Sequence, residues 1–513
     1  MFLLCISASP QLDIFMINDL HFKWDEEEFI ELLCITCSCF IETRKMVDVV
    51  ILTVLYVAAL FLGVIYYYMG NRQSTTIPGP NPTSERDGNL ADIAKAGSLH
   101  EYLLDLHQKY GDIAAFRMGK EMVVSICSPE LFREHSNVFD RPASLYKIFE
   151  PLLGRKSIPF ANKAEGKSRR KNYNLALGSS HLHCYYPGIQ ALSENLVHDW
   201  SNLAEMEQIP LNDSMITFGI KLASVSMFGS DSCSDEAIKD IRHNFLLASN
   251  ELERKLIGIS DEDSERVKTF EDARNRFHDH VNKLVTKRRE HRKKTDATLL
   301  VDVLIDSTND EEEILHDAVT FTAAGSHTTG SLLTWALYFL STNPDVQENV
   351  YTEIDQVIGT SDVDPRSAKD LKYLHKVINE TIRCAVIIPW TARYQDNDSE
   401  LGGYKIPAKT SVIHALGASL QSEKYFLNPK RFDPDRFSEA NIKSRPAYAF
   451  QPFGFAGKRM CPGYNLAIIG AIALLVNILK IFRVKLVEGQ MVTPKFGIVT
   501  HPKDKIWITV EKR

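Results

Sequence analysis

The stretch Phe453-Gly454-Phe455-Ala456-Gly457-Lys458-Arg459-Met460-Cys461-Pro462-Gly463 decides how the chain reads. One cysteine sits in a glycine-rich loop, and the apolar run after it, residues 464–482, reads as a helix. Loop N–H groups and a helix N-terminus both set partial positive charge beside the sulfur and favour thiolate over thiol. The glycines permit a tight backbone path and the close approach of a flat group. Lys458 and Arg459 add cationic charge suited to carboxylates on such a group. Cys461 is therefore a candidate axial ligand of a haem iron, where a thiolate pushes electron density onto the metal and favours O–O cleavage. Taken alone, the same residues also describe a buried structural cysteine beside a turn.

Two segments upstream bear on this choice. Glu380 and Arg383 stand three apart on an expected helix over 371–386, so they share a face and can pair. As a surface pair they would contribute little. Ala324-Gly325-Ser326-His327-Thr328-Thr329 lies in the middle of a long helical pattern. That pattern opens on the acids Asp310-Glu311-Glu312-Glu313, which suit a helix N-terminus, runs to about Leu340 and stops before Asn343-Pro344. Roughly 30 residues at 1.5 Å each give about 45 Å, enough to cross a domain. A Gly/Thr kink in a buried helix is the plain alternative for the central segment.

Together these segments resemble the cytochromes P-450. Gly457, Arg459, Cys461 and Gly463 match the haem-binding signature, with Gly454, flanked by Phe453 and Phe455, where the family has phenylalanine. Glu380-Thr381-Ile382-Arg383 looks like the E-x-x-R motif, completed by Arg436 of Phe432-Asp433-Pro434-Asp435-Arg436-Phe437, a trio that locks the core around the haem loop. The segment at 324–329 resembles the oxygen-activation motif. There the resemblance implies that Gly325 leaves room for dioxygen and that Thr328 manages proton delivery. His327 replaces the usual acid, and histidine can relay protons near neutral pH. Arg393, in Pro389-Trp390-Thr391-Ala392-Arg393, resembles the arginine that reaches a haem propionate, as Arg459 would. Arg169 or Arg170 is carried over to the cofactor from a W-x-x-x-R motif whose tryptophan is absent here. The stretches 87–101 and Val487-Glu488-Gly489-Gln490 look particularly like family 20.

The resemblance, covering about residues 77–513, implies the P-450 prism, mainly α with small β-sheets, holding haem b with Cys461 on the metal. It implies a monooxygenase that inserts one oxygen atom from dioxygen into an apolar substrate, with a lipid as one candidate. Electrons would come from NADPH through cytochrome P-450 reductase, with cytochrome b5 as a further partner. Two alternatives stay open: a reductase-independent isomerase of oxygenated lipids, which His327 keeps alive, and a non-catalytic haem-binding protein.

Composition agrees with one large catalytic domain. Of the 513 residues, 44% are hydrophobic and 24% charged, and the net charge of −7 gives no reason to expect nucleic acid as a partner. Nine cysteines without a framework spacing argue for a reducing compartment. Residues 49–69 carry no charge and are long enough to span a bilayer, with Tyr66, Tyr67 and Tyr68 at one end. The expected organisation is an extension over 1–45, a transmembrane anchor over 47–70, a Pro-rich linker over 71–86 and the haem-thiolate domain over 87–513. Met46 could be the true start; the positive-inside rule would then place the main domain in the cytosol, at the endoplasmic reticulum the family implies. Cys34, Cys37 and Cys39 lack the second ligand pair that zinc would want. The pattern at 270–294 is helical and ends in a basic run read as a solvated helix end. Residues 118–126 look like a strand or hairpin arm, and 391–415 are strand-like with a turn at Gly402-Gly403.

Overall fold

In a computed structural model of the chain, Asp310 caps the longest helix by accepting from the N–H groups of Glu312 and Glu313, and the helix runs from Glu311 to Thr342. It ends where expected, because Pro344 at the first turn of the next helix cannot continue it. The structure describes residues 31, 53–63, 75–232, 234–256, 263–292, 298–454 and 459–513. The chain falls into two units, Met1–Ser74 and Thr75–Arg513.

Within the second unit the main helices are α1 (Leu99–Tyr110), α2 (Lys163–Ala176), α3 (Leu182–Ser201), α4 (Leu211–Phe228), α5 (Asp235–Leu256), α6 (Ser264–His291), α7 (Leu300–Ser307), α8 (Glu311–Thr342), α9 (Pro344–Val357), α10 (Lys372–Ala385) and α11 (Tyr464–Ile481). The strands are β1 (Ile113–Met118), β2 (Glu121–Ile126), β3 (Ile209–Pro210), β4 (Thr391–Arg393), β5 (Ser399–Leu401), β6 (Tyr404–Ile406), β7 (Ser411–His414), β8 (Phe482–Leu486), β9 (Pro494–Lys495), β10 (His501–Pro502) and β11 (Trp507–Lys512). One sheet has the order β1-β2-β7-β4, with β2 and β7 parallel and Val123 opposite Ser411. Another places β11 between β3 and β8, and two hairpins, β5-β6 and β9-β10, complete the β content. The architecture is mainly α with small sheets, as the resemblance implied.

Helix α8 is the axis of the larger core, and α4 lies closest against it. Small residues make that approach possible. A Cβ on Gly219 would fall 2.4 Å from the Ser326 carbonyl oxygen, and one on Gly330 would fall 2.8 Å from the Ile216 Cα. Helix α11 is apolar and long enough by composition to cross a membrane, yet most of it is buried in this core. The side chains of Leu474, Leu475, Leu479 and their neighbours account for its apolarity.

Three expectations change. The stiff linker over 71–86 is shorter, because residues 77–79 belong to the body. Ile77 is buried beside Val124 and Ile126, the Ala115 N–H donates to the Pro78 carbonyl, and Gly79 lies so close to β1 that a Cβ would meet the Ala115 oxygen. Helix α6 begins at Ser264, six residues before the apolar pattern, because Asp263 caps it. The strand or hairpin arm expected over 118–126 is a hairpin arm that starts only at Glu121, since a turn at Gly119 (φ +61°) separates β1 from β2. Of the expected anchor, residues 53–63 are described; they form an apolar helix with Val54, Leu55, Phe61 and Leu62 exposed. The cysteine cluster at 34–39 and the remainder of 47–70 lie outside the described residues.

Candidate functional site

Cys461 lies just before α11, with its backbone N–H donating to the Phe453 carbonyl (2.9 Å). Phe453 packs edge-on against Tyr464 in the first turn of that helix, ring centroids 4.7 Å apart. Gly454 has φ +81° and open space where a Cβ would point. A phenylalanine would be strained in this backbone conformation. Phe455 and Gly457 lie outside the described residues. Burial pushes the Cys461 thiol up, while the Gly463 N–H and the charges of Arg170 and Arg141 pull it back toward thiolate.

Arg170 and Arg141 act on this sulfur, and with Arg393 and Arg459 they form one cluster of four mutually repelling guanidinium groups. Arg459 is 5% exposed, and its Nη2 donates to the carbonyls of Ile158 (3.3 Å), Pro159 (3.2 Å) and Ala161 (2.9 Å). Its Nε and Nη1 are buried without a hydrogen-bond partner among the described residues. Arg393, on β4, donates to Thr391 Oγ1 (2.9 Å) and the Ala392 carbonyl (2.7 Å). Arg170, on α2, donates to the Met460 carbonyl and to Asn174, and its Nε is also unpartnered, as is the Nε of Arg141. Among the described residues none of the four is paired with a carboxylate. Burial and then the neighbouring cations hold Arg459 down to about 8, and burial and Arg141 hold Arg393 and Arg170 down to about 10.

Buried cations left with orphaned donors are costly unless an anion meets them. A thiol beside such cations suits a dianionic group that offers a metal to the sulfur and carboxylates to the guanidinium groups. Haem b, with two propionates, has that chemistry. On these donors the residues fit the group, with Cys461 toward the iron and Arg459, Arg393, Arg170 and Arg141 available to the carboxylates.

The two arginines left open by the sequence separate. Arg169 turns away, its Nη2 2.7 Å from Asp317 on α8 and its Nη1 2.8 Å from Glu165. Asp317 also accepts from the Tyr173 hydroxyl and from the Ile158 N–H (2.6 Å). Arg169 therefore ties α2 and the 156–161 segment to α8, and Arg170 is the one beside Cys461. Arg141, which the sequence reading missed, precedes Pro142 in an irregular stretch and carries no pattern that would have marked it.

Beneath the loop, Glu380, Arg383 and Arg436 form a closed web. Arg383 is bidentate on Glu380 (2.7 and 2.9 Å), and Arg436 reaches the same carboxylate at 3.2 Å. The Asp433 N–H also donates to Glu380 (2.9 Å), and Arg383 caps the carbonyls of Leu420 and Pro429. Both Glu380 and Arg383 are fully buried, so this is no surface pair.

On α8, Ala324, His327 and Thr328 share one face, as residues i, i+3 and i+4. That face is the least covered part of an otherwise buried helix centre, with Ala324 exposed and Thr328 half-buried. Thr328 donates its hydroxyl to the Ala324 carbonyl (2.7 Å), which leaves its oxygen free to accept. Gly325 also serves packing, since a Cβ there would meet Ala223 on α4 at 3.2 Å. Its smallness lets the helices approach. His327 lies edge-on to Phe245 of α5, centroids 5.9 Å apart, and 5.8 Å from the ring of His501. Burial, then His501 and Lys495, push it down to about 3, so its ring is neutral at physiological pH.

A family model described as cytochrome P450 matches residues 78–509. A cytochrome P450 20A1 from Bos taurus is 32% identical over 472 residues, covering 91% of this chain and 100% of the relative. The Mus musculus and Homo sapiens proteins of that name are 33% and 32% identical over 471 and 469 residues. A solved structure, the haem domain of cytochrome P450DA, superposes with a TM-score of 0.74 at 20% identity, over 85% of this chain and 98% of that one.

Proposed function

The chain belongs to the cytochrome P450 family and resembles its family 20, and from that premise we propose that it is a membrane-anchored haem-thiolate monooxygenase acting on an apolar substrate. The family makes it a haem-thiolate oxidoreductase. The observation that carries the rest is the half-buried thiol of Cys461 beside a cluster of four arginines that no carboxylate among the described residues meets.

When bound, haem supplies redox chemistry with dioxygen and an electron donor. The protein's share is positional. Cys461 presents sulfur from a loop fixed by its own N–H and by Phe453. Arg459, Arg393 and Arg170 would hold its carboxylates. Thr328, with acceptor lone pairs on the uncovered face of α8, holds a proton-bearing partner at its Oγ1. His327 is a neutral imidazole at physiological pH, not an imidazolium acid, so Thr328 takes the larger part in proton handling on this face. The Phe245 ring and the apolar flanks of α5 and α8 restrict water there.

NADPH-cytochrome P-450 reductase is the proposed electron source, with cytochrome b5 as a second donor. The apolar helix at 53–63 supports an anchor over residues 47–70. With Met46 as the start, so that Arg44 and Lys45 fall away and only Asp48 precedes the span while Arg72 and Arg86 follow it, the body would face the cytosol of the endoplasmic reticulum. The test is turnover of a lipid extract under isotopically labelled dioxygen with NADPH and reductase. One labelled atom per product molecule, dependent on NADPH, is the expected result. Unlabelled rearrangement products formed from lipid hydroperoxides without NADPH would replace this reading with an isomerase.

A further inference from the structure

Beside the uncovered face of α8 lies a group of polar side chains that the proposed chemistry does not use. Glu253, near the end of α5, is buried, and its carboxylate receives Lys495 of β9 at 2.9 Å. His501 of β10 approaches the other oxygen, with its Nδ1 4.0 Å away. The hairpin backbone presses against the same carboxylate, since a Cβ on Gly497 would fall 2.1 Å from Glu253 Oε1. His327 faces this assembly across the His501 ring. It lies deep in the body, one residue from Thr328 and on the same face as Ala324, yet protein does not fully cover it. Among the described residues its imidazole takes no hydrogen-bond partner. Its nitrogens are not sealed within protein, so they stand open to a ligand that enters this face.

Charge narrows the ligand further. Glu253 and Lys495 already neutralise each other, and His327 is neutral. A carboxylate ligand would compete for Lys495 and leave Glu253 buried without its cation, which is unfavourable. An ammonium group would meet Lys495 at close range. A neutral imidazole offers one donor and one acceptor, and a hydroxyl or carbonyl oxygen matches it without disturbing the pair.

We propose that His327, backed by His501 and the Glu253–Lys495 pair, is a specificity-determining residue that hydrogen-bonds a neutral hydroxyl or carbonyl oxygen on an otherwise apolar substrate. This rests on the monooxygenase reading, because it takes the Ala324–Thr328 face as the substrate side. A site built to hydrogen-bond a ligand oxygen discriminates against the analogue without it, because its own polar group is then left unpaired.

The test uses the haem-loaded full chain and equilibrium dialysis with three probes, biphenyl-4-ol, biphenyl and biphenyl-4-carboxylate. The native protein should bind biphenyl-4-ol about tenfold more tightly than either of the others, the scale of one net hydrogen bond. His327→Leu should abolish that preference, and His327→Gln, which keeps a donor and an acceptor, should retain most of it. Each protein is first checked for the reduced, carbon-monoxide-bound spectrum of a haem thiolate. A protein that lacks that spectrum fails the functional reading itself. With the spectrum intact, the subsite is overturned by equal binding of the three probes, by tighter binding of the carboxylate, by a preference that survives in His327→Leu, or by no binding of any probe.

Discussion

Two buried groups of arginines lie within this body and are resolved in opposite ways. Arg383 and Arg436 converge on Glu380, and backbone carbonyls take their remaining donors, so the web is complete within the chain. Arg141, Arg170, Arg393 and Arg459 cluster with one another, Arg170 and Arg141 beside Cys461, with no carboxylate among the described residues and with donors left over. The first arrangement is what a chain builds to hold itself together. The second makes physical sense when a ligand supplies the missing charge. The difference marks which polar cluster is framework and which is site, without appeal to the motifs.

Breaking the framework should produce the largest effect. Glu380→Gln leaves two buried guanidinium groups facing a neutral amide, and stability should fall by about 3–5 kcal/mol. Denaturant unfolding of the haem-free and haem-loaded proteins would both record it. Arg169→Leu removes the cation from the buried Asp317, and a loss of about 3 kcal/mol is expected, again with or without haem. Arg459→Leu should behave in the other way. Haem affinity should fall roughly 10- to 100-fold through loss of charged hydrogen bonds, measured by haem transfer to an apo-globin acceptor. Stability of the haem-free protein should change by less than about 1 kcal/mol, because relief from the neighbouring cations offsets the lost carbonyl contacts. Equal losses in both forms would erase the contrast between the two groups.

The smallest effect concerns pH. His327 is held at about 3 in the folded protein, below the ordinary 6.5 of an unfolded histidine. Between those values the unfolded chain binds the extra proton, so stability is full above 6.5 and declines as pH falls toward 3. His100 and His135, each pushed down to about 4 by burial, add to the same decline. His327→Gln should remove roughly 1–2 kcal/mol of the loss between pH 6.5 and 5, read from denaturant midpoints across that range.

Much of this was legible in the sequence because it rests on local rules. The ends of α8 follow from the Asp310 cap and from Pro344, and α1 from Ser98 and Gly111. The Glu380–Arg383 pair follows from helical spacing and the position of Cys461 from its loop. What stayed hidden depends on partners distant in sequence. Arg169 and Arg170 are neighbours on one helix, and only the placement of Asp317 and Met460 decides which faces the sulfur. The packing of Gly325 against Ala223 of α4 has no signal in its own segment. Nor do the rings of Phe245 and His501 beside His327. The linker ended earlier than expected because one isoleucine, Ile77, finds a place in the sheet layer.

The central claim is that Cys461, beside its unneutralised cluster of arginines, ligates haem iron as a thiolate. The most direct test is the absorption spectrum of the reduced, carbon-monoxide-bound protein beside that of Cys461→Ser. The account predicts the strongly red-shifted Soret band of a thiolate-ligated haem in the native chain and its loss in the variant. A native spectrum like that of a histidine-ligated haem, or well-folded protein that takes up no haem, would contradict it.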